Sequence, residues 1–104
     1  MVEKISSNER FKEVLSGSQP VVCVFVASWC GPSRMMMPLF YQWDKEFPTA
    51  QFVKVDVDEL PHLAQECVVN VTPTFAVFRE GALAGSAVGG MASEIRDTIQ
   101  KLCA

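Results

Sequence analysis

One histidine, one tyrosine and two tryptophans stand in a chain of 104 residues. What is scarce here excludes several functions. Zinc sites take cysteines two to four residues apart, or cysteines with paired histidines. Cys23, Cys30, Cys67 and Cys103 with the lone His62 offer neither, so no metal is expected. Basic runs are absent: 9 lysines and arginines face 12 acids, the net charge is -3, and the pI is near 5.0. That balance argues against a nucleic-acid partner. No apolar run approaches the roughly 20 residues that cross a bilayer, so no membrane association is expected. Residues 1–5 lack the apolar core of a secretory leader. The expected location is therefore the cytoplasm, where thiols stay reduced. Repeats and Gly/Ser-rich linkers are also missing, and the length reads as one domain, 1–104.

Hydrophobic residues make up 49% of the chain and charged residues 20%, a globular balance. The apolar periodicity alternates between strand and helix. Residues 2–5 read as a short strand. A helix follows, with Ser6 and Glu9 at capping-box spacing and Phe11, Val14 and Leu15 on its apolar face. The β-branched run 21–27 reads as a buried central strand containing Cys23. Residues 34–47 read as a helix that Pro38 should kink. Residues 51–57 form a further strand. Asp58 is expected to cap a helix with Pro61 in its first turn and Leu60, Leu63, Ala64 and Cys67 on its buried face. Strands 74–79 and 83–88 form a hairpin around Glu80-Gly81. Residues 91–102 close the chain as a helix with Met91, Ile95, Ile99 and Leu102 on one side. The order βαβαβαββα implies an α/β architecture with helices on both faces of a largely parallel sheet.

Trp29-Cys30-Gly31-Pro32-Ser33 lies between a buried strand and a helix. A thiol at a helix N-terminus meets unpaired amides and the positive end of the dipole. Both favour thiolate, the nucleophile of disulfide exchange. Ser33 is one turn further on; its hydroxyl can donate to the thiolate but cannot attack a disulfide. Cys23 and Cys67 read as small core residues, and Cys103, beside the chain end, as more exposed. Met35, Met36 and Met37 divide between core and surface, and His62 faces solvent.

These residues carry a resemblance to the thioredoxin family along nearly the whole chain. The family's Trp-Cys-Gly-Pro-Cys signature is matched by residues 29–33 with serine in the last place. Its Thr-Pro-Thr-Phe segment is matched by Thr72-Pro73-Thr74-Phe75, and its helix proline by Pro38. Residues 52–58 and Val88-Gly89-Gly90 also resemble family segments. The resemblance implies the thioredoxin fold, a central mixed five-stranded sheet flanked by four helices. It implies a cis Thr72–Pro73 bond, and a substrate strand lying against the backbone of Thr72. Trp29, Gly31, Pro32, Val57, Pro73, Gly89 and Gly90 would flank that strand, by analogy with edge-strand addition.

Two departures from the family bear on mechanism. Ser33 replaces the resolving cysteine, so Cys30 can form a mixed disulfide that nothing at position 33 resolves. Val24 stands where the family has a buried aspartate that serves the resolving cysteine, which leaves Lys54 without that partner. The two losses fit each other chemically and favour a natural monothiol protein over a Cys-to-Ser variant of a dithiol parent. The expected activity is thiol–disulfide exchange through Cys30 alone, with Ser33 assisting. Substrates would be protein disulfides or glutathionylated proteins, and glutathione a co-substrate. No bound cofactor is expected, and a monomer is expected. The alternatives are a binding or adaptor module on the same scaffold, like the thioredoxin-like domain of multidomain monothiol glutaredoxins, or a trap variant of a dithiol thioredoxin.

Overall fold

The computed structural model describes residues 1–88 and 91–103. Its elements are β1 (Glu3–Lys4), α1 (Asn8–Leu15), β2 (Val21–Val26), α2 (Gly31–Glu46), β3 (Gln51–Asp56), α3 (Pro61–Glu66), β4 (Thr74–Arg79), β5 (Ala82–Val88) and α4 (Ala92–Cys103). The expected order is the observed one. The strands form a single sheet in the order β1-β3-β2-β4-β5. β1 and β2 run parallel to β3, while β4 runs antiparallel to β2 and β5 antiparallel to β4. The sheet is therefore mixed.

Alternation along β2 divides the core. Val22, Val24 and Val26 point to one face, with Met36, Phe40 and Trp43 of α2 and Ile95, Ile99 and Cys103 of α4. Val21, Cys23 and Phe25 point to the other, with Phe11 and Val14 of α1 and Leu63 of α3. A strand covered on both faces has no need of polar residues, which is why β2 is apolar throughout. Phe40 meets Phe52 edge-on at 5.1 Å and Phe75 at 6.0 Å, tying α2 to β3 and β4. Burying each such ring contributes about 1.5–3 kcal/mol.

Several boundaries differ from expectation. α2 begins at Gly31 rather than 34, because Pro32 sits in the first turn, where a missing amide proton costs nothing. The helix continues through Pro38. Asp58 does not cap α3, whose N-cap is Leu60. Instead Asp56 Oδ1 accepts the amides of Asp58 at 2.8 Å and Glu59 at 3.3 Å. Leu60 and Cys67 are half-buried beside the fully buried Leu63 and Ala64. Cys103, expected to be exposed, is buried, because Ile95, Ile99 and Cys103 share one face of α4 at four-residue spacing. Met91 is exposed; it precedes α4 rather than lying on its inner face. The β4–β5 turn has positive φ at both Glu80 (54°) and Gly81 (80°), the conformation a two-residue hairpin connection demands.

Candidate active site

β2 is the strand at which the sheet's connections diverge, with β3 on one side and β4 on the other. The carboxyl end of such a strand opens into a crevice between the two neighbours. Cys30 lies just beyond that end and is the N-cap of α2, with φ -90° and ψ 114°. No side chain caps the helix, so its first amides face the thiol.

Three groups favour the thiolate at Cys30. The Thr72 hydroxyl, then the hydroxyl and the backbone amide of Ser33, hold the Cys30 thiol below its ordinary range, against a weaker effect of burial. In the protonated form, Sγ–H donates to the Thr72 carbonyl at 3.4 Å. That carbonyl favours thiol, while the net direction at Cys30 is towards thiolate. Ser33 is buried, and its Oγ accepts the Ala27 amide at 3.4 Å, which leaves its proton for Cys30.

The other cysteines behave oppositely. Burial pushes Cys23 well above the ordinary value, with the neighbouring Cys67 adding to it. Burial also raises Cys67, helped by Glu66. It raises Cys103 as well, with Arg79 in partial opposition. Of the four thiols, Cys30 alone is shifted towards thiolate. Cys67 opens instead into a separate cavity of about 360 Å³, beside Val68, Phe78 and Leu83, and Cys30 does not line it.

Trp29 is 73% exposed, and its indole Nε1–H donates to Asp58 Oδ2 at 2.8 Å. Val57 is half-buried and is held to the end of β2 by its amide bond to the Val26 carbonyl, 2.9 Å. Trp29, Val57 and Thr72 line one cleft of about 140 Å³, together with Val69, Asn70 and Val71. The Thr72–Pro73 bond is cis, and Pro73 is buried. Gly31 and Pro32 are exposed, and a Cβ on Gly31 would meet no atom of this chain within 4 Å. Gly89 and Gly90 lie outside the described residues. Lys54 is half-buried, with Nζ 3.4 Å from the Tyr41 hydroxyl.

Sequence reasoning missed Asp58, Val69 and Val71. The sequence offers Asp58 as a helix cap, but Asp56, two residues earlier, takes the local amides and leaves Asp58 to accept from Trp29. The apolar spacing of Val69 and Val71 before Thr72-Pro73 was the available signal for the cleft wall. Among the described residues, no group of three or more His, Cys, Asp or Glu side chains could hold a metal ion.

Comparison with known proteins now bears on the site. The Thioredoxin family model matches residues 2–101. The chain is 38% identical over 104 residues to the thioredoxin of Oryctolagus cuniculus, covering 98% of this chain and 99% of that protein. It is 34% identical to mitochondrial thioredoxin-3 of Saccharomyces cerevisiae, covering 97% of this chain and 80% of that one. The solved structure of Malassezia sympodialis thioredoxin superposes with a TM-score of 0.94 at 37% identity, covering 100% of this chain and 92% of that one. With a mixed five-stranded sheet, four helices and a match across residues 2–101, the chain belongs to the thioredoxin family and is a thiol–disulfide oxidoreductase of that type, a chemistry that needs no bound cofactor.

Proposed function

We propose that the chain exchanges disulfides through Cys30 alone and relies on an external thiol, of which glutathione is the natural candidate, to complete each cycle. The observation that carries this reading is the pairing of a thiol shifted towards thiolate with a buried hydroxyl at position 33. The Cys30 thiolate attacks the glutathione sulfur of a glutathionylated protein. The protein thiolate leaves and takes a proton, and Cys30 holds a mixed disulfide with glutathione. A second glutathione thiolate attacks the glutathione sulfur of that bond, releasing oxidised glutathione and the Cys30 thiolate. Ser33 supplies a hydrogen bond to Cys30 in the thiolate state and takes no covalent part.

The substrate is read as an extended segment against the Thr72 backbone, flanked by Trp29, Gly31, Pro32, Val57, Pro73, Gly89 and Gly90. Main-chain bonding there would give broad rather than narrow sequence preference. The chain acts in this reading as a single-domain monomer in the cytoplasm, on protein disulfides and glutathionylated proteins.

Steady-state turnover of a glutathionylated peptide tests the mechanism. Turnover should require glutathione, vanish in Cys30→Ser, and persist in a Cys67→Ser/Cys103→Ser variant. Without glutathione, one equivalent of product should appear as a burst and then stop. Continued turnover with thioredoxin reductase and no glutathione would sink the single-thiol reading.

A further inference from the structure

A recess of about 180 Å³ that shares no lining residue with the cleft at Trp29 has Lys4, Ser28, Ser33, Arg34, Lys54 and Asp56 as its polar wall. Three cations face one carboxylate across it. Lys4 is matched by Glu59, 2.9 Å away. Asp56 is committed through Oδ1 to the amides of Asp58 and Glu59. Arg34 and Lys54 have no carboxylate within 4.0 Å among the described residues; the polar partner of Lys54 Nζ is the neutral Tyr41 hydroxyl. The β2 residue in register with Lys54 is Val24, fully buried and without charge.

The recess therefore carries excess positive charge. Val26 and Met37 add hydrocarbon to its wall, which concentrates the field in the opening. Arginine and lysine around such a space suit a small oxyanion: the guanidinium offers a planar fork, the ammonium a compact charge. The Ser28 hydroxyl adds a neutral donor.

We propose that this recess binds a small free oxyanion, of the phosphate or carboxylate class, between Arg34 and Lys54, and that its occupancy weakens the nucleophile at Cys30 one helical turn away. Negative charge near Ser33 opposes negative charge on the neighbouring sulfur, and the intervening protein screens less than water does.

Titration of the 15N-labelled protein with inorganic phosphate, and separately with acetate, at fixed pH and ionic strength tests the site. The amide signals of Ala27, Ser28 and Arg34 should shift saturably, with phosphate binding more tightly than acetate. Arg34→Gln and Lys54→Gln should each weaken binding at least about fivefold, and Asp56→Asn, which keeps the Oδ1 acceptor, should tighten it. Lys101→Gln, on exposed α4, should change nothing. Alkylation of Cys30 by iodoacetamide at pH 7 should slow about threefold at saturating phosphate, and less in the two weakened variants. Shifts that stay linear with concentration, or match in all variants, would falsify the site. Equal slowing in wild type and Lys54→Gln would overturn its coupling to Cys30. Neither readout involves turnover or glutathione, so the single-thiol reading stands or falls separately.

Discussion

The state of the Cys30 sulfur is set by a small number of neighbouring groups. Cys30 has no cationic side chain among the causes of its shift; the Thr72 hydroxyl is the largest, followed by Ser33. Removing a donor to the charged form moves the equilibrium back towards thiol. Thr72→Val keeps the backbone and the shape of the side chain and deletes that donor. The Cys30 pKa should rise, so at pH 7 less thiolate is present and alkylation by iodoacetamide should slow by about two- to fivefold. The pH profile of alkylation checks this: its midpoint should move to higher pH, and an unmoved midpoint would show that the Thr72 hydroxyl does not act on the sulfur. At this scale, the part of the site that lies in one segment, Trp29 to Ser33, was legible in the sequence, because a strand end, a cysteine and a helix start follow one another. Thr72 and Pro73 were legible through the family resemblance. The bond from Trp29 to Asp58 was not, since it joins residues 29 apart and nothing in either segment announces the other.

Among the elements, the strands were the most legible. β2 carries a dense β-branched run, β3 alternates through Val53 and Val55, and their parallel pairing follows from the helix between them. Helix ends were less so, because which side chain takes a terminal amide depends on geometry of a few ångströms. α3 shows this at both ends. Its start is organised by Asp56 rather than Asp58. Its finish places Val68 at φ 56°, in the left-handed region. The Val68 amide bonds the Gln65 carbonyl at 3.1 Å and the Val69 amide bonds the Ala64 carbonyl at 2.9 Å, a pattern that closes a helix and usually employs glycine or asparagine. A β-branched residue there is strained, and Val68, 74% exposed, has little packing to offset it. Val68→Asn should therefore stabilise the fold by about 1 kcal/mol. Urea unfolding should show a higher midpoint at unchanged slope. A lower midpoint would mean that the exposed valine contributes more by its contacts than its backbone costs.

Across the whole molecule, the same two-faced core that makes the fold also ranks its thiols. Cys23 sits within β2, covered on both sides of the sheet, and Cys103 is buried on the inner face of α4. Both are pushed away from thiolate by the burial that holds them. Cys67 ends α3 at the mouth of a cavity, half-buried and also raised. Reactivity with an alkylating agent depends on thiolate fraction and access together, and for Cys30 both point the same way. Limiting iodoacetamide at pH 7 should thus label Cys30 first and Cys67 a distant second. Cys23 and Cys103 should react only as fast as the core opens, so their labelling should rise with urea in step with global unfolding. Peptide mass spectrometry over a time course reads this order directly. If Cys103 labels early in native buffer while Cys23 does not, α4 opens independently of the sheet, and the core on that face is a separate cooperative unit. If both label with the kinetics of Cys30, burial does not protect them and access does not rank these thiols. The net negative charge and the free state of the four cysteines are compatible with either result, because neither controls access to the core. What decides it is the packing of Ile95, Ile99 and Cys103 against Phe75 and Val77.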